Sequence, residues 1–195
     1  DGVGARRAAL KRPAEVLRAS PAEVRPNLED AEVHREQQRQ RFEARLAQGD
    51  AADVVQLWCD YAEWTAKNQQ ANHASVVKRA CHSLVATKRH HDDVRHLRLW
   101  VQYGCVQDEP HKVFGMLCEH GVGVGHSLLY EAWAACCEKR HCFFAADEAY
   151  RRGIERGAHP LAKLRGRHAE FEQRMSRRDA RRGATGEGGP VAAAP

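Results

Sequence analysis

Cys136, Cys137, His141 and Cys142 place four metal-capable side chains in one short stretch. Zinc knuckles present paired Cys-x2-Cys ligands, whereas adjacent cysteines on a helix point about 100° apart. The plainer reading is buried thiols beside surface histidines, so no metal and no cofactor is expected. Cys118 and His120 form a looser pair of the same kind. Cysteine–histidine catalysis needs a nucleophile next to an oriented base, and no stretch offers that setting. Gly121 and Gly123 precede a helix, where a Gly-rich loop can cradle phosphate. No Gly-Lys-Ser/Thr follows them and no strand precedes them, so a sharp turn needing φ > 0 is the expected role. No ATP loop with a strand lysine, no His-Arg-Asp loop and no Asp-Phe-Gly occurs, so kinase chemistry is not expected in this chain.

The chain must therefore be read through its elements. Its 195 residues allow one ordinary domain with tails. Charged residues of both signs make up 29%, and the net charge is +5. The excess lies in Arg6, Arg7, Lys11 and Arg12, and in Arg174, Arg177, Arg178, Arg181 and Arg182. Such basic ends touch nucleic acid in some proteins and are solvated in more, so a nucleic-acid partner is not expected. No apolar run approaches a membrane span and no signal-peptide core appears, so no membrane association is expected. Seven cysteines, most of them inside apolar helical patterns, read as reduced thiols of a cytosolic or nuclear protein.

Residues 1–28 are rich in Ala, Arg and Pro and are expected to be a disordered arm. Residues 29–180 form the domain, and the Gly/Ala/Pro-rich residues 181–195 a disordered tail. A polar helix starts near Glu29 and ends at Gly49. Seven more helices follow, with no sustained β-alternation. The first carries Val54, Leu57, Trp58, Tyr61 and Trp64, and the second Val76, Val77, Ala80, Cys81, Leu84 and Val85. The third follows the cap candidates Asp92 and Asp93, and the fourth opens at Pro110 and stops at Gly121. The fifth follows Ser127, the sixth runs from about Phe143 to Gly157, and the seventh opens at Pro160.

Three of these helices repeat one short pattern: Leu, aromatic, two residues, aromatic, small residue. The copies are Leu57-Trp58 with Tyr61-Ala62, Leu99-Trp100 with Tyr103-Gly104, and Leu129-Tyr130 with Trp133-Ala134. The first aromatics stand 42 and 30 residues apart, close on average to the roughly 34-residue period of TPR hairpins. Aromatics three apart share a helix face, and the small residue lets a neighbouring helix approach. Ala146 and Tyr150 match the second TPR helix, with Pro160 past its end. The expectation is an all-α fold of three tandem TPR-like hairpins in a short solenoid, with flanking N- and C-terminal helices. Trp58, Tyr61, Tyr130 and Trp133 are its core, and Gly121 and Gly123 its structural turn.

The chain also resembles the N-terminal domain of the Bub/BubR/Mad spindle-checkpoint family. The stretch from Gln37 to Glu43, followed by Leu57-Trp58 to Trp64-Thr65, is similar to that domain's opening. Lys88-Arg89-His90-His91-Asp92-Asp93 resembles the junction before its second repeat. His120-Gly121-Val122-Gly123-Val124, then Leu129 to Ala134, resembles its Gly-Ile-Gly loop and Tyr-x-x-Trp-Ala helix. Ala146, Tyr150 to Ile154, Ala158-His159-Pro160 and Phe171 to Arg174 continue the likeness, which covers about residues 35–178. The Gln-rich opening leans toward the BubR/Mad branch.

The resemblance implies a non-catalytic adaptor of the spindle assembly checkpoint. It implies docking on helical motifs of a kinetochore scaffold protein, further checkpoint partner proteins, and the activator of the anaphase-promoting complex, which the family helps to restrain. It implies a nuclear and cytoplasmic protein found at the kinetochore in mitosis. The positions matching the docking surface are Trp100, Tyr103 and Val106, with Cys136 and Cys137 nearby. The Lys-Glu-Asn box of BubR-type members is not in this chain. Arg7-x-x-Leu10 and Arg25-x-x-Leu28 match only the loose Arg-x-x-Leu core. A half-TPR scaffold of RNA processing is the alternative, since Trp58, Tyr61 and Trp64 and the basic ends suit it.

Overall fold

A computed structural model describes residues 28–49 and 52–184. The arm expected over residues 1–28 lies outside the described residues except for Leu28, which begins a helix. The elements are α1 (Leu28–Gln48), α2 (Val54–Asn68), α3 (Gln70–Val85), α4 (Val94–Cys105), α5 (Pro110–His120), α6 (Ser127–Lys139), α7 (Phe143–Glu155) and α8 (Leu161–Ala184). A 3-10 turn, Lys88–His90, precedes α4. There is no strand among the described residues. None of their helices is long and apolar enough to cross a membrane.

Two compact units divide the chain between Gln38 and Arg39, within α1. The second unit, from Arg39 onward, holds the repeats. There α2 packs on α3, α6 on α5 and α7, and α8 on both α6 and α7, while α2, α4 and α6 meet in sequence. This is the short TPR-like solenoid, with α8 closing its end.

Local chemistry sets the helix ends. The Asp53 carboxylate accepts from Gln56 N–H at 3.0 Å and caps α2, and Asp93 accepts from Arg95 N–H at 2.8 Å and caps α4. Pro110 occupies the first turn of α5, where its missing N–H costs nothing. At the other end Gly121 takes φ 74°, and Val122 N–H reaches back to Leu117 C=O at 2.8 Å. The end of α7 repeats the device, with Gly157 at φ 66° and Ala158 N–H on Gly153 C=O at 3.0 Å.

All three aromatic motifs face inward. Leu57, Trp58, Tyr61 and Ala62 are buried, as are Leu99 and Trp100, and Leu129, Tyr130, Trp133 and Ala134. Tyr61 stacks on Phe42 of α1 at 4.8 Å. Gly104 lets α5 approach so closely that a Cβ there would lie 3.3 Å from Phe114. Tyr103 departs from the pattern and is half-buried.

The Gly loop joins the hairpins through the backbone. Gly123 N–H donates to His91 C=O at 2.8 Å, His159 N–H to Gly125 C=O at 2.8 Å, and Ser127 N–H to His159 C=O at 2.7 Å. Gly123 sits at φ 65°, and any Cβ there would fall 2.8 Å from the Leu97 side chain. Two constraints, conformation and contact, thus demand glycine at this position.

Helix α8 runs to Ala184, and Arg178 in its late turns stacks over Phe143 of α7 at 4.0 Å. Residues 185–195 lie outside the described residues.

Candidate protein-docking site

The second aromatic motif places a half-open feature on the surface. Trp100, buried in α4, is anchored by its own helix: its indole N–H donates to His96 Nε2 at 2.9 Å. His96 Nδ1 pairs with the His90 carbonyl at 3.0 Å, so Nδ1 carries the proton and Nε2 accepts. Burial lowers the pKa of His96 from its ordinary value, which keeps the ring in that neutral form. The Trp100 ring meets Tyr103 edge-on at 5.7 Å, and His82 of α3 meets Tyr103 edge-on at 6.3 Å. Tyr103 therefore stands between the interior and the surface, with two rings packed against it.

Beside Tyr103 lies a cleft of about 540 Å³ between α3 and α4. Ala74, Val77 and Lys78 line it from α3, and Tyr103, Val106 and Gln107 from the end of α4. Val106 is the C-cap residue of α4 and is 69% exposed, high for a branched apolar side chain. Lys78 is the charged group in the lining.

Of the residues nominated from sequence, Tyr103 and Val106 share this cleft. Trp100 lies behind it, fully buried. Cys136 and Cys137 are buried in α6 and do not line it, and Cys136 Sγ instead lies 2.7 Å from Cys105 Sγ. Trp58, Tyr61, Tyr130 and Trp133 are core, and two of them carry polar anchors. Tyr61 O–H donates to Glu43 at 2.8 Å, and Tyr130 O–H to Val124 C=O at 3.1 Å. Gly121 and Gly123 form the turn.

The α3 wall of the cleft was not nominated. Val77 and Ala74 sit in an ordinary amphipathic pattern, which does not distinguish a core wall from one facing a cleft. The closest group of metal-capable side chains among the described residues is Asp147, His168 and Glu172, away from the cysteines. His168 Nε2 donates to the Asp147 carboxylate at 2.6 Å, and its ring stacks on Tyr150 at 5.3 Å, contacts that fasten α8 to α7.

Residues 37–154 match the family described as Mad3/BUB1 homology region 1. Over 147 residues the chain is 33% identical to the mitotic checkpoint serine/threonine-protein kinase BUB1 beta of Mus musculus, covering 73% of this chain and 14% of that protein. It is 33% identical over 128 residues to the mitotic spindle checkpoint component mad3 of Schizosaccharomyces pombe, covering 63% of this chain and 41% of that one. The chain thus spans less than half the length of these relatives. A chain in the crystal structure of the mitotic checkpoint complex superposes with a TM-score of 0.71 at 29% identity, covering 77% of this chain and 74% of that one. The crystal structure of the conserved N-terminal domain of the mitotic checkpoint component BUB1 gives a TM-score of 0.72 at 21% identity, covering 77% and 82%, a likeness of fold.

Proposed function

The chain belongs to the Mad3/BUB1 homology region 1 family, whose matched members are spindle-checkpoint proteins, and on that premise we propose that it docks a helical motif of a kinetochore scaffold protein in the cleft between α3 and α4. The region is non-catalytic, so its contribution is adhesion. An amphipathic helix lays one apolar stripe into a groove between two helices, burying residues at i, i+3 or i+4, and i+7. The observation that carries the reading is Val106, 69% exposed at the rim of an apolar cleft that Tyr103 also lines. Lys78 on the opposite wall suits an acidic residue beside the guest's apolar stripe. In mitosis the chain acts at the kinetochore with checkpoint partner proteins, and through them it helps restrain the anaphase-promoting complex.

Calorimetric titration with an amphipathic helical peptide from the kinetochore scaffold tests the site. Saturable binding is expected, weakened tenfold or more, about 1.4 kcal/mol, by either Val106→Glu or Tyr103→Lys. Unchanged affinity in both variants removes the cleft from the proposal. Binding of single-stranded RNA at physiological salt, without peptide binding, would support an RNA-processing scaffold instead.

A further inference from the structure

The described residues hold seven free cysteines, and two of them meet across the seam between the second and third repeats. Cys105 is the last residue of α4 and is half-buried, while Cys136 lies on α6, 6% exposed. The Cys136 thiol donates to Cys105 Sγ at 2.7 Å, well inside the distance at which unbonded sulfurs usually rest. A disulfide needs the sulfurs at about 2.05 Å, less than about an ångström closer than they stand. Arg140 bridges the same seam, with one nitrogen on Gln107 C=O at 2.5 Å and another on Cys136 C=O at 3.4 Å. The ends of the two helices are therefore already held together without a covalent bond.

We propose that Cys105 and Cys136 are an oxidation site, closing to an intramolecular disulfide between α4 and α6 when the protein meets a hydroperoxide. Their surroundings assign the two sulfurs different roles. The Cys136 S–H, with help from the positive charges of Arg140 and Lys139, draws Cys105 down to about 7. The same contact, together with burial, pushes Cys136 up. Cys105 is thus the sulfur more readily held as a thiolate, and it is also the more exposed of the two, open to a small peroxide.

The chemistry balances in two steps. The Cys105 thiolate attacks a peroxide oxygen, the O–O bond breaks, and hydroxide or alkoxide leaves with a proton from solvent, giving a sulfenic acid. Cys136 then gives up its proton and attacks the Cys105 sulfur. An S–S bond forms, the S–O bond breaks, and water leaves. The two thiols lose two electrons and two protons, and the peroxide is reduced to water and the corresponding alcohol, or to two waters if it is hydrogen peroxide. The new bond spans 31 residues and encloses all of α5 and the Gly loop, a span long enough to restrict the unfolded chain appreciably.

Purified protein treated with a small excess of hydrogen peroxide, blocked with an alkylating reagent and digested with trypsin without reduction gives the test. The expected product is peptide 99–112 joined to peptide 113–139 in a monomer lighter by two hydrogens. The melting temperature should rise by roughly 5 °C or more and return on addition of dithiothreitol. Cys105→Ser and Cys136→Ala should abolish the link, whereas Cys118→Ser and Cys137→Ser should keep it. The proposal is overturned if Cys105 remains alkylatable while Cys137 and Cys142 take the oxidation, if the link survives Cys136→Ala, or if only intermolecular disulfides form.

Discussion

Trp100 and His96 are joined across one turn of α4 by a hydrogen bond of 2.9 Å that only a neutral imidazole can accept. Both side chains are buried, so losing the bond would leave an indole N–H and a charged ring without compensation. Burial holds the His96 pKa below its ordinary 6.5, with His90 and His91 acting in the same direction and Asp93 and the His90 carbonyl opposing.

The sign of the pH dependence follows. The unfolded chain binds this proton more readily than the folded one, so the stabilisation is complete above about pH 6.5 and is lost as pH falls toward the folded value. Thermal unfolding across about pH 7.5 to about pH 5 should show a falling melting temperature. In His96→Gln, which keeps an acceptor for Trp100 but cannot titrate, that fall should be shallower. Parallel profiles for the two proteins would exclude His96 as the source.

Gly153 and Gly115 should answer alanine substitution with opposite signs. A Cβ on Gly153 would fall 2.5 Å from Tyr130 Cγ and 2.8 Å from Leu164 Cδ2. Tyr130 cannot swing away, because it is buried and its hydroxyl is bonded to Val124 C=O. Overpacking of about 1–3 kcal/mol or more outweighs the helix-propensity gain of about 1 kcal/mol, so Gly153→Ala should destabilise. Gly115 lies within α5 with nothing within 4 Å of its Cβ position. Gly115→Ala should therefore stabilise, by about 0.5–1 kcal/mol. Urea unfolding of both variants reads the difference.

Glu43 ties α1 to the first hairpin. One carboxylate oxygen accepts from Tyr61 O–H at 2.8 Å and from Arg79 at 2.7 Å, and the other accepts from Arg79 at 2.8 Å. The Arg79 guanidinium, and then the Tyr61 hydroxyl, hold its pKa near 2, against an ordinary 4.5. Its contribution is present above about pH 4.5 and is lost as pH falls from there toward about 2. At neutral pH Glu43→Gln should lower stability by about 1 kcal/mol, a modest figure because the pair is partly solvated. The gap between wild type and variant should narrow below about pH 4.5, measured by denaturant titration. A constant gap would mean the carboxylate charge contributes nothing.

Much of this arrangement was legible in sequence because the residues that set it act locally. Asp93 caps its own helix, Pro110 and Gly121 bracket α5, and the Leu-aromatic pattern repeats with its helix. The α2–α3 junction was harder, since Gln69 ends one helix and starts the next with no Gly or Pro to mark it. The contact between the late turns of α8 and α7 had no local signal, since Phe143 makes it from far away in sequence. The Cys105–Cys136 contact had no signal either, since both cysteines sit in ordinary helical positions and only the stacking of α4 on α6 joins them. The cleft was half legible: Tyr103 and Val106 came from the repeat and the family likeness, whereas Val77 and Ala74 depend on how α3 lies against α4.

Trp100 and Val106 provide the sharpest separation between a residue that builds the cleft and one that would touch a guest. Trp100 is 1% exposed and supports Tyr103 from behind, while Val106 is 69% exposed at the rim. Trp100→Ala should cost about 3–5 kcal/mol, lower the melting temperature markedly, and weaken peptide binding only as a consequence of that damage. Val106→Ala removes exposed methyl groups and should alter stability by less than about 0.5 kcal/mol. If a guest helix rests on Val106, binding should still weaken by about 1 kcal/mol or more, since an anchored apolar side chain at an interface is worth that much. Melting curves recorded beside the titrations make the two effects distinguishable. A Val106→Ala variant that melts and binds like wild type would move the docking surface to another face of the repeats, even though the fold and family assignment stand.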